Sequence, residues 1–128
     1  EDRVELHYAE WDTVRTIYLD GRRPTAGAPP TRLGHSVGRY VGDTLIVETF
    51  GVRSSYFEGI TIGGVKHSDQ LRAVERYSRP GNGNRLEVAV IFEDPVTLTE
   101  PFHLKRAWGW APDEEIYEYE CEPDELLE

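Results

Sequence analysis

His35-Ser36-Val37-Gly38-Arg39-Tyr40-Val41-Gly42-Asp43-Thr44-Leu45-Ile46-Val47-Glu48-Thr49-Phe50 is the stretch from which the fold is read. Two runs of strand-forming residues flank Gly42-Asp43, and a glycine at the first of two turn positions suits type II′ geometry. The stretch therefore predicts a β-hairpin. With Gly42 and Asp43 as its turn, Val41 faces Thr44, Arg39 faces Ile46, Val37 faces Glu48 and His35 faces Phe50, all on one side of the sheet. Ser36, Gly38, Tyr40, Leu45, Val47 and Thr49 take the other side. This pairing geometry is specific; the choice of the enclosed face is not.

Outward from this hairpin the chain keeps the same grammar. Leu71–Ser78 and Arg85–Phe92 read as a second hairpin around the turn-rich Arg79-Pro80-Gly81-Asn82-Gly83-Asn84. Val4–Leu19 reads as one or two strands closed by Asp20-Gly21, and the Pro- and Gly-rich Arg22–Gly34 as a loop. Val52–Asp69 reads as a long loop holding at most a one-turn helix. After the turn Glu93-Asp94-Pro95, strands are expected at Val96–Leu98 and Phe102–Trp110, and a last one at Glu115–Glu120, where tyrosines alternate with glutamates. Successive hairpins imply a mainly β, antiparallel meander. It would form a small lipocalin-like or partly open β-barrel, or an open sheet completed by a second copy in a homodimer.

The 128 residues suit one domain, 1–128. Its 24 acids and 14 bases give a net charge of −10, and nine of the acids lie in 111–128, where there is no Lys or Arg. The acidity is thus a C-terminal property, and it argues against a nucleic-acid partner. No membrane-spanning stretch is present, so no membrane insertion is expected. The chain lacks Met and begins at Glu1, which reads as a processed start. The single cysteine, Cys121, reads as a small packed hydrophobe.

Chemistry-bearing residues fall on the strands. His35 and Glu48 are diagonal neighbours on a face that also holds Val37, Ile46 and Phe50, with Arg39 two residues along. Enclosed, they are a proton-transfer pair with a cation for an anionic group; exposed, they are a solvated ionic face. Glu75 shares a side with Leu71, Ala73 and Tyr77, opposite the apolar Leu86, Val88, Val90 and Phe92 of the returning strand. A carboxylate aimed into that core needs a partner or a raised pKa. Arg106 recurs at period two with Phe102, Leu104, Trp108 and Trp110, placed either to clamp an anion or to extend its head to solvent. Trp108 and Tyr77 are candidate pocket walls. His67 is a candidate ligand contact; its spacing matches no zinc signature, and no metal or other cofactor is expected.

Several of these runs carry a resemblance. Gly34-His35-Ser36-Val37-Gly38-Arg39-Tyr40 followed by Gly42-Asp43-Thr44-Leu45-Ile46-Val47-Glu48-Thr49 resembles a motif recurrent in uncharacterised bacterial proteins. So do Arg15–Arg22, His67-Ser68, Glu75-Arg76, Glu93-Asp94-Pro95 and Glu118–Glu122. Many members of that family are exported, so the resemblance implies a periplasmic or secreted protein; a cytoplasmic one stays open. It carries no reaction. The chain departs from the pattern at Phe50–Ser54, where the family often has a Gly-Phe-Asn-Asp-like segment.

Two functions are expected from these residues, beside a third reading as a stress-related or structural exported protein whose turns simply encode the fold. One is a cofactor-independent acid/base enzyme of isomerase, lyase or cyclase type acting on a small hydrophobic or aromatic molecule. Its catalytic groups would be His35, Glu48 and Glu75, and its substrate contacts Arg39, Arg106, Tyr77, Trp108 and His67. The other is a non-catalytic, lipocalin-like protein that binds such a molecule.

Overall fold

The computed structural model describes residues 2–57 and 64–120. Strands β1 (Arg3–Tyr8) and β2 (Thr13–Tyr18) are joined by a 3₁₀ turn at Glu10–Asp12. There follow β3 (His35–Val41), β4 (Thr44–Phe50), β5 (Ser55–Phe57), β6 (Val65–His67), β7 (Arg72–Ser78), β8 (Arg85–Glu93) and β9 (Phe102–Gly109). Seven of them form one sheet in the order β1-β2-β3-β4-β7-β8-β9, and β5 pairs with β6 as a separate ribbon. Among the described residues no helix is long and apolar enough to cross a membrane.

The first hairpin has the register read from the sequence, from Val41 opposite Thr44 to His35 opposite Phe50. Gly42 has φ +58°, a value that L side chains rarely adopt. The meander is not wholly antiparallel, however: β2 pairs with β3 in parallel, Ile17 with Ser36 and Tyr18 with Val37. Two strands running the same way need a crossover, and residues 19–34 supply it. This loop is tied down where Thr31 bridges Val52 and where Gly34 turns with φ +67°. A Cβ on Gly34 would sit 2.6 Å from the Phe50 carbonyl oxygen and 2.7 Å from a Val52 methyl. Gly34→Ala is expected to cost about 2 kcal/mol in urea unfolding, from the left-handed backbone and the clash together; an unchanged midpoint would refute this account of the loop.

The sheet curls into a half-barrel. In a flat sheet β1 and β8 would lie five strand spacings, about 24 Å, apart. Yet Val4 and Leu6 of β1 line one recess with Tyr77 of β7 and Leu86 of β8. The enclosed side carries Ile17, Ser36, Leu45, Val47, Thr49, Ala73, Glu75, Val88 and Val90, all buried. Ile17 and Val47 are wholly inaccessible, each contributing about 1.5–3 kcal/mol. Tyr77 packs against both halves of this core, Ile17–Leu45–Val47 and Ala73–Val88–Val90. Gly38 allows the close approach of β2: a Cβ there would meet Ile17 at 2.8 Å.

The β5–β6 ribbon covers one end of the curl, with the Phe57 ring 5.0 Å from Phe92 and 5.0 Å from His67. The other end is marked by the Gly42–Asp43 turn, and among the described residues it holds a recess that Tyr40, Asp43 and Arg79 help to line. The long loop expected at Val52–Asp69 thus contains a ribbon; its strands are only three residues each, too short to carry a readable period. Residues 58–63 lie outside the description.

Two further expectations fail for local reasons. Val96–Leu98 is a turn, not a strand, because Asp94 takes its donors. The carboxylate accepts from the backbone N–H groups of Val96 (3.0 Å) and Thr97 (3.3 Å) and from the Thr97 hydroxyl (2.6 Å). It also accepts from the N–H (2.6 Å) and hydroxyl (2.7 Å) of Ser68. Asp94 is buried, which disfavours its charge, but the bonds from Thr97, Ser68 and Val96 prevail and hold its carboxyl well below the usual range. Glu115–Glu120 is exposed chain with no ladder partner, so its Tyr/Glu alternation has no sheet to lie on. Its anchor is at the far edge: the Tyr119 N–H donates to Asp12 Oδ1 (2.8 Å), and the Tyr119 ring lies 4.8 Å from that of Trp11. Cys121 lies outside the described residues.

Candidate functional site

The curl brings together residues that are distant in sequence. Glu75 projects from the middle of β7 onto the enclosed face, between Val47 and Val90 in neighbouring strands. Its side is set by the apolar alternation of β8, as the sequence indicates. Its partner is Arg15 of β2, three strands away and reached across the interior. Arg15 donates to both Glu75 oxygens, Nη1 to Oε1 at 2.9 Å and Nη2 to Oε2. The same guanidinium donates from Nε to Ser36 Oγ (3.1 Å) and from Nη2 to Thr49 Oγ1 (2.7 Å), and these two hydroxyls bond each other at 2.9 Å. The Tyr77 hydroxyl donates to Glu75 Oε1 (2.8 Å).

Every group in this network has a partner, as a buried charge requires. Burial opposes the charge of Arg15, but the hydrogen bond and charge of Glu75 prevail and raise its pKa above the ordinary arginine value. Burial, and then the negative charge of Glu75, push the Tyr77 phenol far above its ordinary value, so it stays protonated and a donor.

Next to the network, toward the end marked by the Gly42–Asp43 turn, is a mostly apolar recess of about 220 Å³. Val4, Leu6, Ile17, Leu45 and Leu86 line it with Tyr40 and Tyr77, and Asp43, Ser78 and Arg79 complete the lining. Tyr77 links the two features: its ring faces the recess while its hydroxyl holds Glu75. The recess is smaller than most ligand pockets and has room for one or two fused rings or a short chain.

The other residues singled out from sequence are dispersed. His35 and Glu48 lie on the outer, convex face and do not meet. His35 Nε2 donates to the Arg22 carbonyl oxygen (2.8 Å), and its ring stacks on Tyr18 at 5.3 Å. Glu48 accepts from Arg72 Nη2 at 3.3 Å. Arg39 is exposed on the same convex face. Arg106 has the parity of the enclosed face, opposite Val88, but is exposed near the sheet edge. Trp108 is half exposed and lines a shallower hollow of about 260 Å³ with Leu86 and Trp110. His67 is buried beneath Phe57, with Nδ1 3.1 Å from the Ser68 carbonyl oxygen. No cluster of three metal-ligating side chains occurs among the described residues.

Arg15 is the member that sequence reasoning does not single out. Its signal is parity: it alternates in phase with Ile17 and Leu19, so it must enter the core if they do. The chain matches no family model, no curated protein and no solved structure.

Proposed function

We propose that this protein binds a small hydrophobic or aromatic molecule, without transforming it, in the recess between β1 and β7–β8. One observation carries the reading. A mostly apolar recess lies on the enclosed face, and the buried charged pair beside it, Arg15–Glu75, is bonded within its own network with Ser36, Thr49 and Tyr77. Glu75 already accepts three hydrogen bonds and serves as counter-ion to Arg15. His35 and Glu48, which would form an acid/base pair, are on the opposite face with separate partners. An uncharged guest would gain about 25 cal/mol for each Å² of apolar surface removed from water, without breaking the Arg15–Glu75 pair. The motif resemblance favours an exported protein.

The acid/base reading keeps one supporting observation, that the Tyr77 hydroxyl contacts Glu75 while its ring lines the recess. Naphthalene and indole are neutral probes of suitable size. Titrated into the protein and followed by amide chemical shifts, each is expected to saturate, moving Val4, Leu6, Leu45 and Leu86. Leu86→Arg should weaken binding at least tenfold, and Tyr77→Phe should leave it within a few-fold. Shifts that do not saturate, or an unaffected Leu86→Arg variant, would refute the site.

A further inference from the structure

The convex face carries a second feature, whose lining shares only Ser78 with that of the recess. The registers place Arg39, Ile46, Arg76, Ala89 and Lys105 in one lateral row across β3, β4, β7, β8 and β9. Cations therefore occupy every second strand, about 10 Å apart at the backbone. The residues between Arg76 and Lys105 are small, so the two long side chains stand on either side of Ala89. They border a trough of about 410 Å³ that Thr44, Ser78 and Arg106 also line, together with Glu87, whose carboxylate is paired with Arg85.

Neighbouring cations are neutralised and these are not. Arg72 is paired with Glu48 and Glu93, and Arg85 with Glu87. No carboxylate among the described residues lies within 4.0 Å of Arg39, Arg76 or Lys105. The two carboxylates nearest in the row pattern, Glu48 and Glu87, are held by those other arginines. In a chain of net charge −10, three cations without an ion-pair partner among the described residues, on one side of a sheet, repel one another within roughly a Debye length. A guest anion would relieve that repulsion.

We propose that this trough binds a phosphoryl-bearing small molecule, with two phosphoryl groups or one phosphoryl and one carboxylate. The planar guanidinium of Arg76 suits a bidentate grip on one group, and the Lys105 ammonium supplies a point charge for the other. The Thr44 and Ser78 hydroxyls are placed to donate at the trough's end. A single inorganic anion would satisfy only one side of Ala89, which is why two charged groups are favoured.

The test is calorimetric titration of inorganic pyrophosphate into the full chain at low ionic strength, beside titration of orthophosphate. Saturable pyrophosphate binding, at least tenfold tighter than orthophosphate, is expected. The double variant R76Q/K105Q should weaken it at least tenfold, whereas R53Q, an arginine outside the trough, should not. All three substituted side chains are exposed, and unchanged far-ultraviolet circular dichroism would verify folding. Naphthalene binding should survive R76Q/K105Q, so failure at one site is distinguishable from failure at the other. Absence of saturable pyrophosphate binding, or binding indifferent to R76Q/K105Q, overturns the proposal. Sedimentation with phosphatidylglycerol vesicles without pyrophosphate binding also overturns it, and assigns the phosphoryl groups to lipid headgroups.

Discussion

Replacing Arg15 by methionine is expected to lower the free energy of unfolding by about 3–5 kcal/mol, the largest loss of any single substitution considered. The change removes the only cation bonded to Glu75 among the described residues, in a site where both side chains are nearly enclosed. It also strips a donor from Ser36 and from Thr49. Glu75→Leu should cost a similar amount for the mirror reason: a buried guanidinium is left without its counter-ion. The double variant Arg15→Met/Glu75→Leu should lose markedly less than the sum, because two apolar groups of similar volume leave no buried charge unpaired. Urea unfolding of the four proteins, followed by tryptophan fluorescence, closes the cycle. Additive losses would mean that the pair is not the unit described here.

The second large effect is at Asp94. Asp94→Ala leaves five donors from Ser68, Val96 and Thr97 without their shared acceptor, and a loss of roughly 3 kcal/mol is expected at neutral pH. The pH dependence has a definite sign. The folded state holds this carboxyl below its ordinary value, so its stabilisation is complete above the unfolded pKa of about 3.9. It is lost as pH falls through that value toward the folded one. The parent protein should therefore lose stability between about pH 5 and pH 2 more steeply than Asp94→Asn, whose loss is already present at pH 7. Parallel urea midpoints for the two proteins across that interval would contradict the assignment.

The hairpins were legible because their turns fix their registers. Gly42 sets β3 against β4, and the Arg79–Asn84 turn sets β7 against β8, so the inward aim of Glu75 could be read from the apolar alternation of β8. The enclosed face of the first hairpin could not be read. Val37, Ile46 and Phe50 on one side rival Leu45 and Val47 on the other, and the curl, a property of the whole sheet, decides between them. The Arg15–Glu75 pair was invisible for a related reason: no tight turn sets the parallel register of β2 on β3, so nothing local places Arg15 opposite a residue 60 positions away. Ser68 and Asp94 are a subtler case. Both stood out as parts of recurrent runs, but only the fold brings them within hydrogen-bond distance. The apolar recess is likewise a product of curvature, formed by strands that no local pattern connects.

The parallel seam between β2 and β3 has a consequence for the order of assembly. From β4 to β9, every strand of the large sheet meets its chain predecessor in that sheet as an antiparallel neighbour, so pairing can propagate by short closures once the β5–β6 excursion is spanned. The N-terminal hairpin is different: it can form alone, but it joins the rest only after residues 19–34 have crossed over, a closure with a larger entropic cost. Docking should therefore be late. Until then Glu75 and Tyr77 face solvent, and the recess lacks the wall made by Val4 and Leu6. In kinetic terms Arg15 is a latch, and its loss should accelerate unfolding far more than it slows folding.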